Sequence, residues 1–410
     1  VSGAWNAHEE KFFSNLTSVL SHFTLKASYS LTADRGPADV TNSQAIITSY
    51  SPYRPFTSIQ ESGLYIKELE NSELTYEKKH ELNIGADMGF LNNRINLAVD
   101  WYKRNNYDLI GIVNTQGAGG QILKYANIAS MKSHGIEFTL STKNIKTKDF
   151  NWNTDFIFSN AKNEVTDLKQ NANVMELISG NGFAKQGYPV RGLFSIPFVG
   201  LDKDGIPVII NEKGEATSTD INFQERQNTG FLKYEGPTDP TITGSLGNMF
   251  SYKGFRLNLF ITYSFGNVIR LNPVFKAYYS DLTAMTREFK NRWTLPGDEA
   301  KTNVPAILSK RMYDSNEDLK YAYNAYNYST ERIAKGDFIR LKEISLAYDF
   351  PKAWINPLKL TDLSLKVQAT NLFLIYADDK LNGQDPEFFN AGGVASPVPR
   401  QFTITLRLGL

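Results

Sequence analysis

Few residues in this sequence are equipped for chemistry. The chain has 410 residues and no cysteine, which removes thiol catalysis, Cys-ligated zinc, iron–sulfur clusters and disulfide frameworks together. Four histidines remain, His8, His22, His80 and His134, and none lies at metal-ligand spacing from another. His134 precedes Gly135 at a strand start, where a structural role outweighs a ligand role. Asp202-Lys203-Asp204-Gly205 hints at a calcium loop, but its glycine falls too early for an EF-hand, and a plain turn is the preferred reading. Gly117-Ala118-Gly119-Gly120 lacks the Gly-Lys-Ser/Thr ending and following helix of a phosphate loop, so it reads as a loop tip. Asp and Glu number 43, yet no spacing singles out a catalytic pair. The expectation is a protein without enzymatic activity, catalytic residues, metal or cofactor. The remaining candidates are Tyr321, Tyr323, Tyr326 and Tyr328. Flat aromatics of this kind stack on sugar rings or pack against a partner surface; the alternative is that they form their own loop's packing.

The elements that must position such residues are strands. Apolar and polar residues alternate along Phe23–Leu31, Leu82–Phe90, Ile95–Trp101, Ile136–Leu140, Trp152–Phe158, Phe255–Phe265, Ile344–Phe350, Leu363–Ala369 and Phe402–Leu410. A less regular strand fits Thr241–Ser251. Successive strand side chains point to opposite faces, so each segment has one apolar and one polar face. Helical periodicity is weak, with one short helix expected around Ala284–Trp293 and a strand-like piece at Leu193–Leu201. Lys and Arg number 44, for a net charge of +1, which argues against a nucleic-acid partner. No apolar run is long enough for a transmembrane helix. The sequence opens without Met or a signal peptide, which reads as a mature or internal fragment.

Connections alternate in length. Leu31–Tyr76, Asn105–Ser133, Asn160–Pro240, Asn267–Gly336 and Leu372–Arg400 are long; Leu91–Asn93, Thr142–Phe150, Tyr252–Gly254 and Pro351–Thr361 are short. Long structureless loops are uncommon in compact soluble domains, whereas transmembrane β-barrels have long extracellular loops and short periplasmic turns. With long loops outside, the strand from Phe23 runs outward and, ten strands on, the one ending at Leu410 runs inward. Charges keep to the polar face, at Asp87, Arg256, Lys366 and Arg407. Aromatics expected at interface girdles are Trp101, Tyr102, Phe265, Tyr348, Phe350 and Trp354. The reading is all-β: an antiparallel transmembrane barrel wall. Soluble β-sandwiches share the alternation with the apolar face turned inward.

Several segments resemble the SusC/RagA family of TonB-dependent outer-membrane transporters. The most specific is Lys335–Pro351 (KGDFIRLKEISLAYDFP), carrying Arg340, Leu341, Tyr348 and Pro351. Ala369–Phe373, with Asn371, resembles that family's Asn-Leu strand end, and Asn382–Glu387 its G-x-DPE loop, with Asp385, Pro386 and Glu387. Upstream, Glu77–Gly85, Asp100–Lys103, Ser133–Glu137 and Asn291–Thr294 match in the family's order. The resemblance implies the C-terminal part of such a protein across residues 1–410: ten strands plus the tail Val1–Trp5, about half of a 22-stranded barrel. On that resemblance the plug domain, TonB box and early strands are expected to lie outside these residues. The family's barrels usually end in an aromatic residue, whereas this chain ends in Leu410.

The resemblance further implies an integral outer-membrane location and active import of an oligomeric nutrient, glycan or peptide. A SusD-like surface lipoprotein would lid the barrel, and TonB would pull on the missing plug. The contrasting reading is a scaffolding barrel segment without transport of its own; a third is a secreted carbohydrate-binding sandwich. Half a barrel leaves two strand edges unpaired in lipid. The remaining strands are therefore expected from another chain or from residues outside these 410, with outer-membrane lipid around the wall.

Overall fold

The structure is a computed structural model that describes residues 1–36, 44–52, 61–68, 70–117, 122–274, 285–316, 318–389 and 399–410. Eleven strands form one antiparallel sheet: β1 (Ser2–Asn6), β2 (Leu20–Asp34), β3 (Glu77–Phe90), β4 (Ile95–Asn114), β5 (Leu123–Lys146), β6 (Phe150–Leu168), β7 (Ile242–Tyr252), β8 (Phe255–Phe265), β9 (Phe338–Asp349), β10 (Asp362–Ala377) and β11 (Gln401–Gly409). Each is hydrogen-bonded to its sequence neighbours, leaving β1 and β11 as the two edges. The order is a pure meander, so every connection lies at one of two rims.

The short-turn rim is set by turn chemistry. Leu91, Asn92 and Asn93 all adopt positive φ between β3 and β4, a conformation that asparagine tolerates. Lys253 and Gly254, at φ 45° and 92°, close β7 onto β8 with the backbone handedness that matches strand twist. Pro351 precedes a one-turn helix, Lys352–Ile355, that carries the chain from β9 to β10.

Strand parity sorts the two faces as expected. On β3, β8, β9 and β10 the apolar parity faces outward, and Ile84, Leu346 and Val367 remain 46–48% exposed although they lie within the sheet. The opposite parity carries the charges, and many of them are paired. Lys26 reaches Asp87 at 2.9 Å and Asp100 at 3.8 Å; Glu81 holds Lys79 at 3.0 Å and Arg104 at 3.1 Å; Arg256 meets Asp349 at 2.9 Å. A largely apolar exterior with charges kept to the other side is how a strand wall meets lipid, where an outward charge costs about 2–4 kcal/mol.

Three expectations change. The segment from Asn105 to Ser133 is not a long loop: β4 runs on to Asn114 and β5 starts at Leu123, across register shifts near Asp108, whose φ is 58°. Alternation fades there because the hairpin continues past the apolar band, where both faces tolerate polar residues. Trp101 and Tyr102 consequently lie inside β4 rather than at its end. The helix expected at Ala284–Trp293 is a 3₁₀ turn, Arg287–Asn291; Ala284 itself lies outside the described residues. The tail Val1–Trp5, by contrast, is the further strand it was expected to belong to, with Trp5 opposite Leu25.

The long-loop rim bears a packed module. Residues 169–241 contribute the strand pair Gly192–Ser195 with Lys233–Pro237 and the small sheet Phe198–Leu201, Pro207–Ile210, Ala216–Thr217. The strand-like piece expected at Leu193–Leu201 is thus two short strands. Residues 266–337 contribute the pair Val268–Arg270 with Ile333–Lys335 and the helix Leu319–Asn327. Most buried apolar side chains of the described residues lie here, around Leu177, Ile178, Phe194, Ile196, Ile209 and Ala325.

Candidate functional site

The loop module is where the tyrosine candidates fall. Helix Leu319–Asn327 carries three of them, and its spacing decides their fates. Tyr323 and Tyr326, three residues apart, share the inward face and are each 1% exposed, whereas Tyr321 is 41% exposed. Tyr323 donates its hydroxyl to the Ala306 carbonyl at 3.0 Å within the cluster of Ile206, Leu308 and Leu319. Tyr326 packs edge-on against Phe198, and burial pushes its hydroxyl pKa upward. Tyr328 packs on the cluster of Phe194 and Ile196. Tyr323, Tyr326 and Tyr328 build the module, and Tyr321 alone presents a ring to solvent.

Two buried arginines tie the module together, and neither was signalled in the sequence. Arg270 donates to the carbonyls of Ser329 (2.9 Å), Phe194 (2.6 Å) and Ile178 (3.3 Å) and to Ser195 Oγ (3.1 Å). These acceptors come from both long loops, so one guanidinium stitches residues 169–241 to 266–337. Burial lowers its pKa to about 9, with the Glu235 carboxylate opposing, so it stays charged at neutral pH. Arg332, 1% exposed, donates to the Asn272 carbonyl at 2.6 Å and pairs with Glu288 at 2.7 Å. A planar five-donor fork suits this role because several fixed carbonyls can be satisfied at once.

Beside Arg332 opens a cleft of about 510 Å³, whose charged lining is Glu288, Arg292, Asp298, Lys301, Glu331 and Arg332. Its size falls in the range of ligand clefts, and its charges are balanced. The rim of this cleft is pre-shaped. Asp298 accepts from the Leu295 and Thr294 amides and the Thr294 hydroxyl, which lowers its pKa to about 2. Trp293 donates to Glu299 at 2.9 Å and its ring lies against Gly205. A Cβ there would meet the ring at 2.6 Å, and φ is 75°. Asp202-Lys203-Asp204-Gly205 is therefore the turn it was read as, with Asp202 Oδ1 accepting from the amides of Asp204 and Ile206.

The motif residues converge in pairs far apart in sequence. Arg340, on the charged face of β9 and 5% exposed, reaches Asp385 at 2.5 Å and Glu387 at 3.3 Å. Asp385 also accepts from the Glu387 amide, starting the 3₁₀ turn Pro386–Phe388. The pair clamps the last loop onto the wall. Leu341 sits opposite Ile261 and Phe373. Asn371, at φ 53°, occupies the register shift of β10. Tyr348 packs on Phe255, their ring centroids 4.4 Å apart, and on Phe350, next to Pro351. Tyr102 lies opposite Gly135, where a Cβ would meet both the Tyr102 ring and the Asn160 carbonyl at 2.6 Å. These residues are wall carpentry.

Elsewhere, the rings of His8 and His22 come within 4.3 Å, a meeting that the bend between β1 and β2 creates and sequence spacing does not announce. His80 accompanies Tyr29 and Tyr107, and His134 lies within β5 opposite Lys103. No group of three His, Asp or Glu among the described residues is arranged to hold a metal ion. Of the Gly117–Gly120 stretch, Ala118, Gly119 and Gly120 lie outside the described residues.

No family profile matches the chain. Among curated proteins it is similar to TonB-dependent receptor P3 of Formosa agariphila, 25% identical over 404 residues, covering 94% of this chain and 37% of the relative. It is also similar to TonB-dependent receptor SusC of Bacteroides thetaiotaomicron, 26% identical over 433 residues, covering 99% and 39%. Among solved structures, the RagAB peptide transporter superposes with a TM-score of 0.75 at 24% identity, covering 99% of this chain and 43% of that one. Its "open-open" state gives 0.76 at 23% identity, covering 100% and 42%. The chain thus spans about two fifths of the length of its relatives. In sequence and in fold the chain is thus similar to part of the β-barrel of SusC/RagA-like TonB-dependent receptors of the outer membrane.

Proposed function

We propose that this chain forms the C-terminal part of the barrel of an importer that takes up an oligomeric nutrient, glycan or peptide. A SusD-like lipoprotein lids it, and TonB energises it through a plug carried outside these residues. The observation that supports this most is the pairing of a lipid-facing wall with a rigid, polar-clefted module at the extracellular rim. A wall serving only as scaffold has no need to spend buried arginines on shaping an external cleft. The kinship with SusC and the shared fold with the RagAB peptide transporter support the same reading. In this scheme Tyr321 and the cleft beside Arg292 and Lys301 face the lid or the captured oligomer.

The test is uptake of labelled oligosaccharide and oligopeptide panels by cells carrying the full-length receptor with its lipoprotein. Replacing Arg292 and Lys301 by Gln, together with Tyr321→Ala, should lower uptake several-fold at unchanged outer-membrane abundance. Unchanged uptake would remove the cleft from the pathway. Absence of uptake of every oligomer by the unaltered receptor would favour the scaffolding reading.

A further inference from the structure

Along the apolar band the outward parity of the wall carries no charge, but at the band's long-loop edge it does. Lys103 on β4, His134 on β5 and Lys162 on β6 form a row, Lys103 directly opposite His134 and His134 directly opposite Lys162. The register fixes their side. Lys103 shares the parity of Leu97, Val99 and Trp101, His134 that of Ile136 and Phe138, and Lys162 that of Phe156 and Phe158, with no register shift in between. Arg104, next to Lys103, has the inward parity and meets Glu81 at 3.1 Å. The row therefore projects from the lipid side of the wall, and all three residues are exposed.

Its height is set by strand length. Lys103 is the ninth residue of β4, which starts at Ile95, and a strand crosses a bilayer in about 9–11 residues. The row thus stands where hydrocarbon gives way to headgroups. Trp101, two residues nearer the short turns, is 37% exposed. Tyr29 lies opposite Leu82, which lies opposite Lys103, and is 46% exposed. An indole and a phenol at the edge of the apolar band mark a membrane interface.

The charge of the row is uncompensated. None of its three members has a carboxylate within 4.0 Å among the described residues. Glu164, two residues on from Lys162, is taken up by Lys132 at 2.9 Å. On the inward parity nearby, Lys79 and Arg104 share Glu81 at 3.0 and 3.1 Å. Like charges directly opposite on neighbouring strands repel, so Lys103 and Lys162, flanking His134, call for an anion from outside the chain. Neighbouring strands are about 4.8 Å apart, so the row spans about 10 Å, and long lysine side chains can converge on one group from both ends. His134 carries an N–H to donate whichever its protonation state.

We propose that Lys103, His134 and Lys162 bind the phosphate of an acylated sugar lipid in the outer leaflet. The leaflet on the long-loop side of an outer membrane is built of phosphorylated acyl sugars, whereas phospholipids fill the periplasmic one. The acyl chains lie along the apolar face below the row, against Trp101 and Ile136, and the Asn105 amide, two residues past Lys103, meets sugar hydroxyls. The inference rests on the wall being an outer-membrane barrel and is independent of what the receptor imports.

Native mass spectrometry of the full-length receptor tests this, with the protein released from micelles containing equal amounts of monophosphoryl lipid A, its dephosphorylated form and phosphatidylglycerol. The unaltered receptor should retain monophosphoryl lipid A over both. A variant carrying K103Q and K162Q should lose its preference over the dephosphorylated form, by about fivefold for each lysine replaced. A control carrying K148Q and K253Q, the same charge change at the short-turn rim, should keep it. Equal retention of phosphorylated and dephosphorylated lipid by the unaltered receptor, retention of phosphatidylglycerol as strong as that of monophosphoryl lipid A, an unchanged preference in the row variant, or an equal loss in the control would each overturn the proposal. All four replaced residues are exposed, and heat-modifiable migration of the barrel on gels verifies that each variant has folded.

Discussion

The wall and the loop module treat the same side chains in opposite ways. In the wall, large apolar residues such as Ile84, Leu346 and Val367 stay outward and half exposed, while charges turn inward, where Lys26 pairs with Asp87 and Arg256 with Asp349. In the module, Leu177, Ile178, Phe194 and Tyr326 are buried, and charges line a cleft open to water. The difference follows from solvent. Lipid rewards exposed apolar surface but gives backbone groups no partners, so the wall saturates its hydrogen bonds strand to strand. Water offers partners to polar groups, so the module must bury apolar surface to hold its shape. Its irregular backbone then leaves inward carbonyls that no sheet ladder can satisfy, and Arg270 and Arg332 serve them.

If the two regions are held by separate means, each should be breakable alone. Arg270→Leu should give the largest effect, destabilising the module by about 3–5 kcal/mol, because the carbonyls of Ser329, Phe194 and Ile178 would be buried without donors. Limited proteolysis of the full-length receptor in membranes should then cut within residues 169–241 and 266–337, while the wall keeps its heat-modifiable migration on gels. Loss of both together would show that the wall depends on the module. The converse break is Leu259→Lys, on the outward parity of β8, at a cost of about 2–4 kcal/mol. It should depress the yield of folded receptor, while Asn258→Lys, one residue away on the charged face, should not; equal yields would contradict the assignment of faces.

The same contrast explains what the sequence disclosed. The wall was legible because a two-residue period and one-sided charge are local properties, and lipid enforces them on every strand. Reading failed where the solvent changes: past Lys103, water on both faces lifts the constraint, and strands looked like loop as far as Ser133. The module was opaque because its order depends on meetings between distant residues. Arg270 with Phe194, or Arg340 with Asp385, leave no periodic trace. Tyr321, Tyr323, Tyr326 and Tyr328 looked equivalent, and only helical spacing over a specific core separated the exposed ring from the buried ones. The His8–His22 contact was hidden for the same reason.

Among the contacts that join the regions, one runs through the last loop. Arg340 on the wall and Asp385 in the last loop are both nearly buried, and Leu381 of that loop packs with Ile269, Leu271 and Ala334 of the module. Asp385→Asn keeps the shape but removes the charge, so it should cost about 1–3 kcal/mol. Hydrogen exchange should accelerate at the amides of residues 378–389 and remain slow along β9. Acceleration along β9 as well would mean that the clamp holds the wall and not the loop.

The smallest effect sharpens the contrast through pH. The Asp298 carboxylate is held at a pKa of about 2, first by the Leu295 amide, then by Thr294 and Lys301. A depressed carboxylate pKa means that the folded rim favours the charged form, so its contribution is complete above the ordinary Asp pKa near 4. It is lost as pH falls toward about 2. Amide exchange at Thr294 and Leu295, corrected for its intrinsic pH dependence, should therefore rise between pH 4 and pH 2, and Asp298→Asn should flatten that profile. The amides of Leu257 and Leu346 in the wall should show no such step, because their acceptors are strand carbonyls that do not titrate. A matching step in the wall would mean that acid loosens the whole chain and that the two regions do not respond separately.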